Sequence, residues 1–291
     1  MVVTLEPVPA LKAYGRPMLD RLADFRAVFA QALMVRAGCP TNTRLADAFA
    51  KVPRHQFFDP GPWVVCEDGS KTASSDPALL YQDIGLELAP GVPTGLPSLH
   101  ALLINAIGVQ PGNRVMHVGA GTGYYTAILA ELVGESGHVC AFELDATVAA
   151  RAATNLQPWP WAHVESRSGV TAPHDPVDVV YVNAGVEQLP LQWLRALRPG
   201  GRLLLPLVSG TDSGAMFVVE NTGGQSYAAQ FALRARVVAC LGSEDERARA
   251  RVAELLHEPC AAVRSLRLGA GGAADDVWFA GDGWSLSTAE P

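Results

Sequence analysis

The sequence predicts a doubly wound α/β fold: a mostly parallel sheet covered by helices, an antiparallel hairpin at its edge, and additional segments at both ends. Short apolar runs alternate with helical segments between residues 114 and 207, and such alternation implies crossovers and a parallel sheet. A glycine-rich turn joins the first run to the next helix. The chain has 291 residues, 49% of them apolar, which is enough for one large core with additions.

The first segment, residues 1–96, is predicted to combine helices with a long loop. Apolar side chains at helical spacing predict a helix over 17–37 and a second one over 43–51. Residues 61–78 are polar and rich in turn formers, so we expect a surface loop there.

The second segment, residues 97–240, contains the α/β pattern. It opens with a helix over 97–108 that has proline at its first position. Strands are predicted at 114–118, 138–142, 163–166, 177–182 and 202–207. Helices are predicted near 123–134, 145–156 and 189–197. Residues 214–220 and 225–239 are expected to form the edge hairpin.

The third segment, residues 241–291, is expected to be a separate small unit with a helix and a hairpin. Ser243 and Glu246 have the spacing of a capping box, which predicts a helix from there to about His257. A strand near 263–268 follows. Two tryptophans, at 278 and 284, then flank a turn, and we expect their rings to pack on the main domain.

Composition excludes several classes of function. The net charge of −7 argues against nucleic acid as a partner. Five scattered cysteines without a CxxC pair argue against a disulfide framework or a zinc site, and histidines 138, 163, 174 and 257 lack ligand spacing, so no metal is expected. Without a leader-like start or a long apolar run, the protein is expected to be cytoplasmic with no membrane partner.

The glycine turn lies in HVGAGTGYYTA, residues 117–127, and reads G-x-G-x-G. The third glycine of a dinucleotide fingerprint would stand at Tyr124, which disfavours a nicotinamide oxidoreductase, and no Gly-Lys-Ser/Thr of a Walker loop follows. S-adenosylmethionine, which contains adenosine but no phosphate, suits the loop better. Its ribose diol needs a carboxylate at the tip of the next strand, and Glu143 lies there, 20 residues after Gly123.

Several stretches resemble the protein-L-isoaspartate O-methyltransferase family, from about residue 25 to about 240. They are RLADAFAKVPRHQFF, ALLYQDIGLEL, PGNRVMHVGAGTGYYTAILAEL, VDVVYVNAGVEQLP and LRPGGRLLLPL. The resemblance implies a Rossmann-like methyltransferase fold, S-adenosylmethionine as methyl donor, and an amino-terminal segment that closes over the substrate. It also implies a carboxylate acceptor in a protein or peptide, and a role in protein repair.

The resemblance assigns cofactor-binding roles by position. The loop residues would line the methionine part of the donor: Gly119, Ala120, Gly121, Thr122 and Gly123. Glu143 would hold the ribose. Ser168 and Gly169 would lie beside the adenine, and Asn183 with Ala184 would close the site after the fourth strand.

This chain departs from the family pattern at three positions. His117 stands where the family has an acidic residue; a neutral imidazole could still hydrogen-bond the loop, whereas a protonated one would repel the donor. Ser168 stands where the family has aspartate. Gly95 takes the place of a serine in the substrate loop, which leaves Thr94 and Ser98 as the nearby hydroxyls. These two are our candidates to orient the acceptor.

Other interpretations stay open at this point. The acceptor could be a modified peptide or a small natural product, and for a hydroxyl acceptor His100 is a candidate base. The chain could also be a non-catalytic, cofactor-binding interaction module. A carboxylate acceptor needs no general base, since it is ionised at neutral pH. The sequence does not define the oligomeric state.

Overall fold

The computed structural model describes residues 18–67, 70–89, 92–171, 175–210, 213–224, 226–237, 240, 243–269 and 276–291. The α-helices in this part of the chain are Met18–Arg36 (α1), Thr43–Lys51 (α2), Pro97–Ile107 (α3), Tyr124–Val133 (α4), Ala146–Asn155 (α5), Leu191–Ala196 (α6) and Glu246–Leu255 (α7). Short 3₁₀ helices span Arg54–Phe57, Pro77–Tyr81 and Cys260–Ala262. None of them is both long and apolar enough to cross a membrane.

A small antiparallel sheet lies in the amino-terminal segment. Its strands are Trp63–Glu67 (β1), Ser70–Ser74 (β2), Gly85–Ala89 (β3) and Val92–Pro93 (β4), in the order β2-β1-β3-β4. The prediction of a surface loop at 61–78 is therefore wrong. The side chains of β2 are mostly exposed and polar, so this strand has no apolar alternation for the sequence to display.

The main sheet has ten strands. They are Arg114–Val118 (β5), His138–Glu143 (β6), Ala162–Ser166 (β7), Val177–Val182 (β8), Leu197–Ser209 (β9), Ser213–Asn221 (β10), Ser226–Ala235 (β11), Ser265–Leu268 (β12), Val277–Ala280 (β13) and Trp284–Ser287 (β14). The order is β13-β14-β12-β11-β10-β9-β8-β5-β6-β7. The strands from β9 to β7 in this order are parallel, and the rest pair antiparallel, which confirms the predicted doubly wound fold.

The strand order reverses between β5 and β8. From β5 the chain moves to β6 and β7 on one side, then returns to β8 and β9 on the other. A crevice opens where such a reversal separates the carboxyl ends of two neighbouring strands. The predicted site residues follow these strand ends, so the topology brings them to one edge of the sheet.

Successive side chains of the parallel strands enter two separate cores. Val115 packs with α2, α3 and α4, whereas Met116 packs with the core formed by α6 and α7. Val179 lies in the same core as Val115, and Val180 lies in the same core as Met116. This alternation with a period of two is what a sheet covered on both faces requires.

The tail is continuous with the main sheet rather than a separate unit. β12 pairs antiparallel with β11, and β14 and β13 follow beyond it, so the hairpin β10–β11 does not form the edge. Trp278 and Trp284 are buried in the same core as Trp193 of α6, as expected. The cap of α7 is Asp245, whose Oδ1 accepts from the amide of Ala248, and not the predicted Ser243.

Candidate active site

The glycine loop forms a tight turn between β5 and α4. The amides of Gly119 and Ala120 both donate to the carbonyl of Phe142, at 2.9 and 3.0 Å. Gly119, Gly121 and Gly123 have φ values of 80°, 56° and 95°, which favour glycine. A Cβ on Gly119 would also lie 3.1 Å from the carbonyl oxygen of Asn183. Because these three residues have no side chain, a ligand in the crevice can approach the backbone of the loop closely.

A cavity of about 500 Å³ lies at the carboxyl ends of β5, β6 and β8. This volume is within the range of sites for small ligands and cofactors. Ten of the residues that we predicted for the site line it: Thr94, Gly119, Ala120, Gly121, Thr122, Glu143, Ser168, Gly169, Asn183 and Ala184. Topology therefore gathers residues that are up to 90 positions apart in the sequence, from 94 to 184.

Two predicted residues do not line the cavity. Gly123 is the N-cap of α4, and a Cβ there would press against Ala152 at 3.4 Å, so it shapes the loop from behind. Ser98 lies in the first turn of α3, where its amide donates to Oδ1 of Asp83 at 2.8 Å. The structure places Ser98 outside the cavity lining, and its role in orienting the acceptor stays a prediction.

The carboxylate of Glu143 faces the glycine loop. Its Oε2 accepts from the amide of Gly121 at 2.8 Å, and its Oε1 accepts from the amide of Asp145 at 3.1 Å. A carboxylate has about four lone-pair sites, so these two bonds leave capacity for two further donors. Glu143 is thus oriented by the backbone and still able to accept from a diol.

Thr94 lies in the cavity wall with its hydroxyl already engaged. The hydroxyl donates to the carbonyl of Gly95 at 3.0 Å and accepts from the amide of Leu86 at 3.1 Å. One lone pair of the oxygen remains for a further donor. The side chain therefore fixes the loop that follows β4, and any contact with an acceptor is through that remaining lone pair.

Ser168, Gly169 and Asn183 surround the far end of the crevice. The Ser168 hydroxyl accepts from the amide of Val170 at 3.2 Å, and a Cβ on Gly169 would lie 3.0 Å from Val118. Asn183 donates from Nδ2 to the carbonyl of Gly119 at 3.3 Å. Each of these groups holds backbone in place beside the cavity, and their contacts with adenine and donor remain predictions.

His117 lies behind the loop and not in the cavity lining. It is fully buried, and its Nδ1 hydrogen-bonds to the hydroxyl of Thr126 in α4 at 2.9 Å. Burial lowers its pKa from 6.5 to about 3, so the imidazole is neutral at physiological pH. It joins β5 to α4 and carries no charge that would repel a cationic donor.

His100 reaches the cavity from α3. Its Nδ1 lies 2.8 Å from the hydroxyl of Tyr181, and its ring stacks on Tyr125 with centroids 3.6 Å apart. Burial, followed by the neighbouring His117, lowers its pKa from 6.5 to about 3. A base of that pKa is poorly matched to neutral pH, so the structure disfavours His100 as a general base.

The place of the family serine is filled by this same imidazole. Gly95 has φ +71°, and a Cβ built on it would lie 2.9 Å from Nε2 of His100. A serine there would be strained and would collide with the ring. The exchange of serine for glycine is therefore coupled to the position of His100.

The sequence analysis missed several cavity residues, among them Arg54, Leu144, Arg167 and Arg236. Arg54 belongs to the V-P-R-H motif and is buried, with its guanidinium donating to the carbonyls of Leu80, Gln82 and Ile84. His55 of the motif bonds the Tyr81 hydroxyl at 2.6 Å. Only the motif itself indicated this position, since Arg54 begins a 3₁₀ helix of four residues, which is too short to show a periodic pattern.

The residues present fit S-adenosylmethionine. The bare glycine turn admits a ligand at van der Waals distance, and Glu143 has free acceptor capacity for the ribose diol. Among the described residues, the buried hydroxyls of Tyr124 and Tyr125 in the cavity wall have no hydrogen-bond partner. Leu144, which is 50% exposed beside Glu143, offers an apolar contact for a flat ring.

A doubly wound sheet with this loop, this strand-end carboxylate and no phosphate-binding third glycine defines a nucleoside-dependent transferase of the methyltransferase type. Residues 31–244 match the family described as "Protein-L-isoaspartate(D-aspartate) O-methyltransferase (PCMT)". The chain belongs to this family and is an S-adenosylmethionine-dependent methyltransferase. This result confirms the family resemblance and replaces the hypothesis of a non-catalytic module.

Relatives in other organisms support the assignment. The protein-L-isoaspartate O-methyltransferase of Methanopyrus kandleri is 31% identical over 186 residues, which are 62% of this chain and 76% of the relative. The protein of the same name from Gloeobacter violaceus is 30% identical over 211 residues, which are 71% of this chain and 89% of the relative.

Solved structures show the same fold. One named protein-L-isoaspartate O-methyltransferase has a TM-score of 0.63 and 24% identity, and the match covers 74% of this chain but 66% of that one, just under two thirds. A putative protein-L-isoaspartate O-methyltransferase from Plasmodium falciparum, solved with S-adenosyl-L-homocysteine, has a TM-score of 0.60 and 16% identity, covering 74% of this chain and 97% of that one.

Proposed function

We propose that the protein methylates the carboxylate of an isoaspartyl residue in a protein or peptide. The observation that carries the proposal is the charge of the cavity. Three arginines line it, Arg54, Arg167 and Arg236, and Glu143 is the single carboxylate among the described lining residues. Arg167 is already paired with Glu165 outside this lining, so Arg54 and Arg236 supply the positive charge that faces the cavity. The chain as a whole has a net charge of −7, so this local excess of positive charge suits an anionic acceptor.

Arg54 gives the strongest part of this argument because it is buried. Its hydrogen bonds go to backbone carbonyls, and in the described part of the chain no carboxylate forms an ion pair with it. A buried cation without a compensating charge is costly. An acceptor carboxylate in the cavity would lower that cost, which supports binding of the ionised form.

The chemistry asked of the protein is mainly positioning. S-adenosylmethionine, when bound, supplies a methyl group already activated by a positive charge on sulfur. The acceptor carboxylate is ionised at neutral pH, since its pKa is about 4, so no side chain needs to remove a proton. Glu143 and the glycine loop would orient the donor, while Arg54 would hold the acceptor carboxylate and the Thr94–Gly95 segment would enclose it and exclude water.

A second acceptor class is favoured by one observation, the glycine at position 95 with His100 behind it. The imidazole presents a different shape and different hydrogen-bonding atoms from a serine hydroxyl. A modified peptide or a small natural product carrying a carboxylate is therefore the alternative acceptor, with the same donor and the same transfer step.

The test pairs an isoaspartyl peptide with its aspartyl twin, each incubated with the protein and methyl-labelled donor. Base-labile label on the isoaspartyl peptide alone is the expected result. Donor binding in calorimetry without transfer to either peptide would contradict the isoaspartyl proposal and favour the second acceptor class. Label on both peptides at equal rates would argue against recognition of the isopeptide linkage.

A role in repair of aged cytoplasmic proteins would follow from this activity. Free, mostly buried thiols at all five cysteine positions are consistent with a reducing compartment. Deletion in a cell should raise the isoaspartate content of aged protein, measured by the same labelling reaction on extracts. Unchanged content after prolonged stationary phase would oppose the repair role.

A further inference from the structure

The region of interest is a cleft on the face of the main sheet opposite α4 and α5. The connection from β7 to β8 spans only residues 167–176, and its described residues, 167–171 and 175–176, contain no helix. Parallel crossovers usually carry a helix that covers the sheet. Here β6 and β7 instead border a cleft of about 190 Å³ lined by both polar and apolar side chains.

Three metal-ligating side chains meet in this cleft. Cys140 of β6 is the register partner of His163 of β7, and Phe142 is the partner of Glu165. His163 and Glu165 are two positions apart on the strand, so their side chains leave the same face as Cys140. One ligand atom from each of the three residues lies within 4.8 Å of the other two.

Two of the three distances between ligand atoms are close to those of tetrahedral coordination. Sγ of Cys140 lies 3.3 Å from Oε1 of Glu165, and Nε2 of His163 lies 3.8 Å from the same oxygen. Bond lengths of about 2.0–2.3 Å at tetrahedral angles place zinc ligands roughly 3.4–3.6 Å apart. Small side-chain rotations would therefore bring all three atoms onto one ion.

The surroundings orient the carboxylate for this role. Arg167 donates from Nε to Oε2 of Glu165 at 2.5 Å, and its guanidinium lies 4.7 Å from the ring centroid of Phe142. This contact occupies one oxygen and leaves Oε1 facing the thiol and the imidazole. Second partners that fix a ligand in this way are a usual feature of metal sites.

We propose that Cys140, His163 and Glu165 form a binding site for a divalent cation of the zinc class, distinct from the methyl-transfer cavity. Thiolate, imidazole and carboxylate are the ligands that zinc prefers, and three of them leave a fourth position open. On binding, the Cys140 thiol loses its proton to solvent and its sulfur bonds the ion. Without the ion, burial and then Glu165 raise the pKa of this thiol to about 12.

The proposal differs from the expectation that no metal binds, which was based on the spacing of the histidines in the sequence. Ligands on neighbouring parallel strands are separated by a whole crossover, here 23 residues between Cys140 and His163. Local spacing rules for zinc motifs cannot detect such a pair, because it is created by the strand register.

The experiment titrates tag-free, metal-stripped protein with zinc in competition with a chromophoric chelator. We expect one equivalent to bind, with affinity lowered more than about tenfold by Cys140→Ser, His163→Ala or Glu165→Gln, since loss of an outer-shell partner alone costs about 10- to 100-fold. Cobalt should give a thiolate-to-metal charge-transfer band in the wild type that Cys140→Ser abolishes. Circular dichroism checks that each variant is folded.

Two remote substitutions serve as matched controls. Cys66→Ser removes a half-buried thiol of β1, and His257→Ala removes an exposed imidazole after α7. Both should bind zinc like the wild type. Absence of stoichiometric binding, or binding that survives Cys140→Ser and His163→Ala while either control weakens it, would overturn the proposal.

Discussion

Replacing Glu143 by alanine tests the assignment of the donor site most directly. The substitution removes the carboxylate at the tip of β6, which is held by the amides of Gly121 and Asp145 at 2.8 and 3.1 Å. The wild-type carboxylate has two lone-pair sites left for the two ribose hydroxyls. The variant offers neither of them.

The expected loss follows from this count. A hydrogen bond to a charged group contributes about 1.5–3 kcal/mol, and Glu143 is only half-buried, so water can partly replace it. We therefore expect a total loss of about 1.5–3 kcal/mol, which weakens S-adenosylmethionine binding roughly 10- to 150-fold. The glycine loop also loses one anchor, through Gly121, and this adds to the loss.

The assay is isothermal calorimetry with S-adenosylmethionine and with its 2′-deoxy analogue. The wild type should prefer the natural donor, and Glu143→Ala should bind the two nearly equally, because the discriminating acceptor is gone. Glu135→Ala, which removes an exposed carboxylate after α4, is the matched control. Equal donor affinity in Glu143→Ala and Glu135→Ala would refute the ribose assignment.

Three further outcomes are expected. Burial lowers the pKa of His100 and His117 from 6.5 to about 3, so below pH 6.5 the unfolded state binds more protons than the folded state. The free energy of unfolding should therefore fall by up to about 2.7 kcal/mol per pH unit as the pH drops from 6.5 toward 3. A free energy of unfolding in urea that does not change from pH 7.5 to 5 would contradict this. Gly95→Ser should lower Tm and slow methyl transfer, because it strains the loop against His100. Adding His100→Ala to Gly95→Ser should recover part of the lost Tm. If the two substitutions lower Tm additively, the contact between these positions is ruled out. Arg236→Gln changes an exposed position of the cavity wall and should raise KM for an anionic peptide several-fold at low salt while leaving donor affinity unchanged. An unaltered KM would show that Arg236 does not interact with the acceptor.

The parallel part of the sheet could be predicted because its strands are buried on both faces. Val177–Val182 is apolar apart from Asp178, as is typical of a strand buried on both faces. The glycine loop and Glu143 were also predictable, since their spacing is local to one strand–helix–strand unit. Gly108, in the left-handed region with φ +69°, ends α3 as the predicted boundary requires.

What the sequence could not give depends on contacts between distant segments. The polar strand β2 is stabilised by pairing with β1, which no periodicity of its own reveals. Asp245 prevails over Ser243 as the cap of α7 because the Ser243 hydroxyl donates to the carbonyl of Cys240 instead. His117 was expected to hydrogen-bond the loop, but its partner, Thr126, lies beyond the loop in the first turn of α4.

The strands contributed by the tail change which backbone the sheet presents to other molecules. β12 pairs with residues 226–228 at one end of the ten-residue β11, and the outermost strand becomes β13, with four residues. An unpaired edge strand can pair with a strand of another chain, and a short edge strand does so less readily than a long one. Shortening the chain after residue 243 would therefore leave β11 uncovered, together with apolar surface around Trp193, and we expect such a product to self-associate edge to edge.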